Sequence, residues 1–385
     1  MFVRGELEKI ERKVFSGERL SREDGEFLFA CNELSWLGAL ADYVRKKICG
    51  ERVFYNVNCH VNLTNICAAR CKFCAFGRGV GDKGSYAMTI DDAIKLVTEA
   101  SGDPHLSGLH IVSGLHPTWS FEHYLSFVEV LHEKFPRLHI KGFTGVEVQH
   151  FANISGLSVE EILTRLKAAG LEAIAGGGAE ILTDRVRNLL CPKKATADQW
   201  LNVARTAHRL GIKTNASMLY GHIETLSERV EHLIRLRTLQ DETGGFQTFI
   251  CFPFLPKNTA LEKTIKQTTM WDDLRTMAIS RLMLDNFPNI KAYWVMLTVP
   301  VAQVALSFGA NDIDGTIHRE NILHDAGATS PRRLDEDEII KIIREAGRVP
   351  CVTGGRFESD GTADAAGSSI SRTLSPRQYA TLAHC

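Results

Sequence analysis

Three cysteines fall within eight residues, Cys67, Cys71 and Cys74 of the stretch CAARCKFC, and no fourth stands beside them. Thiolates are soft ligands, suited to zinc or to an iron–sulfur cluster. A structural zinc takes four ligands, usually as two pairs from separate points of the chain. No second pair lies near in sequence, and His60, which could complete a Cys3His set, stands several residues upstream in an extended run. Three thiolates on a [4Fe–4S] cube leave one iron open to an external ligand. The spacing therefore points to a cluster with a vacant corner, and a zinc-binding scaffold protein is the alternative from another class.

The other seven cysteines (Cys31, Cys49, Cys59, Cys191, Cys251, Cys351 and Cys385) are scattered and read as small core residues or incidental thiols. The 385 residues carry 45 basic against 46 acidic side chains. That balance argues against a nucleic-acid or membrane-surface binder. No apolar run reaches the ~18 residues of a membrane span. The charged start, MFVRGELEKIERKVFSGE, has no signal-peptide core. A cytoplasmic protein with reduced thiols is expected.

Something must hold the cysteine stretch in place. Residues 1–50 carry apolar residues at helical spacing in LSREDGEFLFACN and LSWLGALADYVRKKICG, and read as an N-terminal helical segment. VFYNVNCHVNLT then alternates with period two, with Asn56, Asn58, His60, Asn62 and Thr64 on one face, and predicts a strand over 53–64. From there helices and strands take turns: strands at GLHIVSG, LHIKGFTG, LEAIAGGG, IKTNASMLYG, FQTFICF and IKAYWVML, with an eighth at DIDGTI. Strict alternation implies a parallel sheet. About eight units predict a TIM-type (β/α)8 barrel over 51–317, with a partial (β/α)6 barrel as the alternative. Residues 318–358 read as a capping segment, and 359–385, small and polar, as a flexible tail. In such a barrel chemistry sits at the C-terminal strand ends, and the cysteines follow the first strand directly.

The CxxxCxxC spacing, with Phe73 before the last cysteine, resembles the radical S-adenosylmethionine (SAM) superfamily. Across Asn58 to Pro350, segments such as GLHIVSGLHPTWSFEHYL, HIKGFTGVEVQHF, GGGAEIL, TAHRLGIKTNASMLYGHIET and HDAGAT resemble, in their joint order, the aminofutalosine synthase family of the futalosine route to menaquinone. Several also resemble the sister dehypoxanthine futalosine cyclase and the deazaflavin-type synthases. The resemblance implies a [4Fe–4S] cluster on Cys67, Cys71 and Cys74, with SAM on the open iron. It also implies a small-molecule substrate, the enolpyruvyl ether of 3-hydroxybenzoate, and a reducing partner such as flavodoxin or ferredoxin. It puts Phe73 beside the cofactors, Ser113 and Gly114 in the place of the superfamily's glycine-rich segment, and Glu180 after Gly176, Gly177 and Gly178 near SAM.

Predicted strand ends supply further candidates. Glu147, His116, Tyr220 and His222 are expected in catalytic roles and Asn215 against the cofactor, with Ser217 of the same strand in the polar ring they form. Arg78 is a candidate partner for a substrate carboxylate, Trp294 for core or pocket wall, and His324 and Asp325 for the far rim.

Overall fold

Helices begin where the sequence satisfies their first N–H groups. Among the described residues, capping boxes, in which a Ser or Thr side chain and a residue three places on bond each other's backbone amides, start six of them. The pairs are Ser21/Asp24, Thr89/Asp92, Thr144/Glu147, Ser158/Glu161, Thr196/Gln199 and Thr225/Glu228. Left-handed glycines, Gly156 and Gly244, end two. The structure is a computed structural model that describes residues 2–354 except Arg319. The tail expected from Ser359 lies outside the described residues.

Between the helices the described residues form ten strands: β1 (Arg52–Asn56), β2 (Asn58–Asn62), β3 (Gly108–Val112), β4 (His139–Thr144), β5 (Ala173–Ala175), β6 (Lys213–Tyr220), β7 (Phe246–Pro253), β8 (Asn289–Lys291), β9 (Asp312–Gly315) and β10 (Val349–Val352). They form one sheet in the order β10-β1-β9-β8-β7-β6-β5-β4-β3-β2. Every pairing is parallel, as the alternation with helices requires.

The stretch expected as one strand over 53–64 divides at Val57. Its first half, β1, pairs with β9 and β10, and its second half, β2, pairs with β3. The free edge of β2 meets the residues after β9: His60 N–H donates to His318 O at 3.0 Å and His318 N–H to Asn58 O at 2.9 Å. The last stave thus returns to the first and the sheet curls into a barrel, with DIDG as the eighth stave.

The run 290–297, expected as a strand, stops pairing at Lys291, which is its one partner to Asp312 of β9. With no neighbour beyond that point the chain turns into a short helix, Trp294–Leu297. Trp294 is buried there and its indole donates to Gly315 O at 3.0 Å. Outside the barrel, the helix Leu34–Cys49 packs on the helix Met270–Met283. No helix among the described residues is long and apolar enough to cross a membrane.

Candidate active site

A cavity of about 340 Å³ opens at the C-terminal ends of the strands and reaches into the barrel. Cys67, Cys71 and Cys74 all line it, with Phe73 between the last two. Backbone bonds pin their loop to three neighbours: Cys67 N–H to Arg78 O at 2.9 Å, Ala68 N–H to Leu115 O at 2.8 Å, and Lys72 N–H to Leu190 O at 2.9 Å. The Arg78 guanidinium donates to the carbonyls of Ala75, Phe76 and Gly77 at 2.6, 3.1 and 3.3 Å. It buckles the loop from behind and does not line the cavity.

The Cys74 sulfur accepts the Gly77 N–H at 3.3 Å, the kind of bond that tunes a metal-bound thiolate. Burial pushes the Cys74 thiol up, so a bound metal is what would hold it ionised. Among the described residues no three His, Cys, Asp or Glu side chains are gathered tightly enough for a single metal ion. Thiolates on separate corners of a cube stand further apart than thiolates around one zinc.

Beside this loop lies a wall that is mostly backbone. Gly114 N–H donates to Thr64 O at 2.8 Å, and a Cβ on Gly114 would stand 2.5 Å from the Ile66 oxygen. A Cβ on Gly176 would stand 2.8 Å from the Asn215 carbonyl carbon. Only glycine allows these approaches. Glu180, in the left-handed region at φ 48°, turns its carboxylate to Lys194 at 2.5 Å. Burial alone would lower the Lys194 ammonium, but Glu180 and the sulfurs of Cys71 and Cys191 overcome this and hold it raised. Lys194 also lies 5.3 Å from the Phe73 ring centre. Asn215 is buried on the same wall, and its Oδ1 has no hydrogen-bond partner.

Cys191, expected to be a small core residue or an incidental thiol, is buried in the core with its thiol against Cys71. The interaction of the two thiols pulls Cys191 down and pushes Cys71 up.

Deeper in the barrel is a polar layer that strand register explains. His60 of β2 stands opposite His110 of β3, and His110 opposite Lys141 of β4. The two imidazoles meet edge to face at 4.8 Å. Burial lowers both histidines, and neither buried Nε2 has a partner. Across the cavity Lys291 bonds Asp314 at 2.7 Å and lies 3.5 Å from Asp312. Lys141 has no carboxylate within ion-pair distance among the described residues, and burial, with Lys291 nearby, lowers it to about 8.

Of the candidates read from sequence, Cys67, Cys71, Cys74, Phe73, Ser113, Gly114, Glu147, Glu180 and Asn215 line this cavity. His116, Tyr220 and His222 do not. His116 stacks on Trp119 at 4.6 Å and accepts the Thr118 N–H. Tyr220 points outward to Asp273 at 2.8 Å. His222 pairs with Glu224 at 2.8 Å. Ser217 donates to Gly176 O at 2.7 Å. His324 holds Glu320 at 2.7 Å, and it is Glu320, Ile322, Leu323 and Ala326 that form the far rim. Asp325 faces Arg78 at 3.8 Å. Lys141, Lys194, Lys291 and His110 were not among the sequence candidates.

Glu147 reaches the cavity with both oxygens committed: Oε1 accepts the Ser113 N–H and Oε2 the Thr144 N–H, each at 2.7 Å. It caps its helix and ties β3 to β4. Burial nevertheless outweighs these bonds and pushes its carboxyl up from 4.5 to about 7. The folded chain then binds more protons than the unfolded one between those values. The stability this group contributes is complete below pH 4.5 and is lost as pH rises through about 7. The wild-type denaturation midpoint is expected to fall from pH 5 to 8 more steeply than that of Glu147→Gln, by about 3 kcal/mol at most. Equal slopes would refute the assignment.

Comparison with known proteins agrees with this geometry. The family description "Radical SAM superfamily" matches residues 61–236, and "CofH/MqnC C-terminal region" matches 243–364. The aminodeoxyfutalosine synthase of Thermus thermophilus is 46% identical over 89% of this chain and 92% of its own. That of Streptomyces coelicolor is 42% identical over 91% and 93%. The 5-amino-6-(D-ribitylamino)uracil–L-tyrosine 4-hydroxyphenyl transferase of Methanopyrus kandleri is 40% identical over 80% and 85%. Among solved structures, methylornithine synthase superposes with a TM-score of 0.73 at 19% identity, covering 91% of this chain and 99% of its own, which speaks for the fold alone. The cysteine loop on the first stave and these likenesses lead to one conclusion: the chain belongs to the radical SAM superfamily, in the group that unites the aminodeoxyfutalosine synthases with the tyrosine 4-hydroxyphenyl transferases.

Proposed function

We propose that the protein is an aminodeoxyfutalosine synthase, joining the adenosyl part of SAM to 3-[(1-carboxyvinyl)oxy]benzoate with rearrangement and loss of a carboxyl group. The observation that carries this reading is a single cavity with three thiols at its mouth and, at its floor, a lysine beside two imidazoles whose Nε2 atoms have no partner. Such a site suits a sulfonium cofactor above an anionic aromatic substrate. Identity of 46% and 42% to proteins of that name supports it.

Superfamily membership implies a [4Fe–4S] cluster and SAM, and the residues present fit both. Three thiols share one wall and are not drawn together as for a lone ion, the glycine wall would be filled by any Cβ, and Asn215 Oδ1 is an acceptor without a donor. In this reading Cys67, Cys71 and Cys74 hold the cluster, while Gly114, Gly176, Asn215 and Glu180 receive SAM. When bound, these groups supply a 5′-deoxyadenosyl radical.

The protein's part is placement and exclusion. A carbon radical takes hydrogen from whatever is near, so the acceptor carbon must be held at near-attack distance. Ile250, Phe252, Tyr293 and Met296 give that region apolar walls, which keep water out. Lys194 stays salt-bridged to Glu180 and holds that carboxylate in one place on the cavity wall.

The test is an anaerobic incubation of the reconstituted protein with SAM, a low-potential reductant such as reduced flavodoxin or ferredoxin, and the ether, read by mass spectrometry. The expected product contains the adenosyl unit. Free 5′-deoxyadenosine without adduct would defeat the reading. The 40% identity to the tyrosine-cleaving transferase favours a second reading, so tyrosine with 5-amino-6-(D-ribitylamino)uracil belongs in a parallel incubation. Product there and none from the ether would assign the chain to that reaction.

A further inference from the structure

We propose that Lys141, flanked by His110 and His60, binds the ring carboxylate of the aromatic substrate and so turns its enol-ether end toward the cysteine loop. This rests on the function proposed above and names the anchor within the same cavity.

Charge accounting leads to Lys141. Of the three lysines that line the cavity, Lys194 is matched by Glu180 and Lys291 by Asp314 and Asp312. Lys141 alone has no carboxylate within ion-pair distance among the described residues; Asp314 and Asp312, which pair with Lys291, act on it only from farther away. Barrel interiors are ordinarily filled by branched apolar side chains, and a cation enclosed there is costly unless paired. Its neighbours repeat the pattern: His60 and His110 each present a buried Nε2 without a partner, and a ring N–H can be turned to an anion. Two imidazoles without a partner and an ammonium without a close carboxylate, on three adjacent strands in one register row, describe a receptor for one small anionic group.

Depth selects which carboxylate. Lys141 lies three residues before Thr144, where β4 ends, or about 10 Å below the rim at ~3.3 Å per residue. The cysteines and glycines occupy the rim. The vinyl carbon must meet the adenosyl group there, and the carboxyl on the vinyl carbon must stay close to it. The ring carboxylate is the part of the ether that can reach the floor, with the ring against Ile250, Phe252 and Tyr293.

The experiment uses cluster-loaded wild type, Lys141→Met and Lys141→Arg, each checked for iron content and circular dichroism. Substrates are the ether and its analogue with a carboxamide in place of the ring carboxylate. Wild type is expected to lose about 10- to 100-fold in kcat/KM on the carboxamide, the worth of one charge-assisted hydrogen bond. Lys141→Met is expected to lose as much on the true ether and then to treat both compounds alike, while Lys141→Arg restores the preference for the carboxylate. A Lys141→Met enzyme that still prefers the carboxylate as wild type does would overturn the inference. Equilibrium binding of 3-hydroxybenzoate to the same proteins decides the matter separately from turnover. Binding weakened at least 10-fold in Lys141→Met supports the anchor, and equal or undetectable binding in both proteins overturns it. Should wild type prove inert on the ether, the proposed function fails while the binding measurement still judges Lys141.

Discussion

Turnover is expected to fall below detection when Cys67, Cys71 or Cys74 is replaced by alanine. Each thiol lines the cavity on a loop whose backbone is fixed by Arg78, Leu115 and Leu190, and Cys191, the thiol next to Cys71, does not line the cavity. In the proposed cluster, loss of one thiolate would leave a second iron without a protein ligand. Iron and acid-labile sulfide, measured after anaerobic reconstitution, should fall with activity. Cys351→Ala, on β10 away from the cavity, serves as the control and should keep both. A single alanine variant of the three with full activity, or wild-type protein that binds zinc without iron, would contradict the cluster assignment.

The second large effect is expected at Lys194. Its pair with Glu180 is largely enclosed, with the two side chains 12% and 10% exposed. Removing one partner of a buried pair leaves an uncompensated charge, a loss of about 3–5 kcal/mol. Lys194→Met should therefore lower the denaturation midpoint of the cluster-free, reduced protein markedly. Glu180→Gln added to it should recover part of the loss, because no lone carboxylate then remains. A double variant as unstable as the sum of the singles would show that the two residues act independently.

Much of the frame was legible because it is written in periodicity. Alternating strands and helices, capping boxes and the cysteine spacing are local signals, and each reports a local fact. The inward row of His60, His110 and Lys141 was harder to see. In LHIKGFTG the polar pair His139 and Lys141, two places apart, looks the same whether that face meets solvent or the barrel interior. His116, Tyr220 and His222 follow strands as catalytic groups often do, yet spacing carries no information on where a loop side chain points. Lys194 follows a helix and meets Glu180 only through tertiary folding. The turn at Trp294 depended on how soon β8 ran out of a partner, which its own residues do not announce.

The bend at Val57 also bears on how the chain is made. Every sheet partner of the opening strand, β1, comes from beyond residue 311, whereas β2 to β8 find neighbours as they emerge. On the ribosome, β1 must therefore wait with bare edges until nearly all the protein has been synthesised, and only the arrival of the final segments locks the ring.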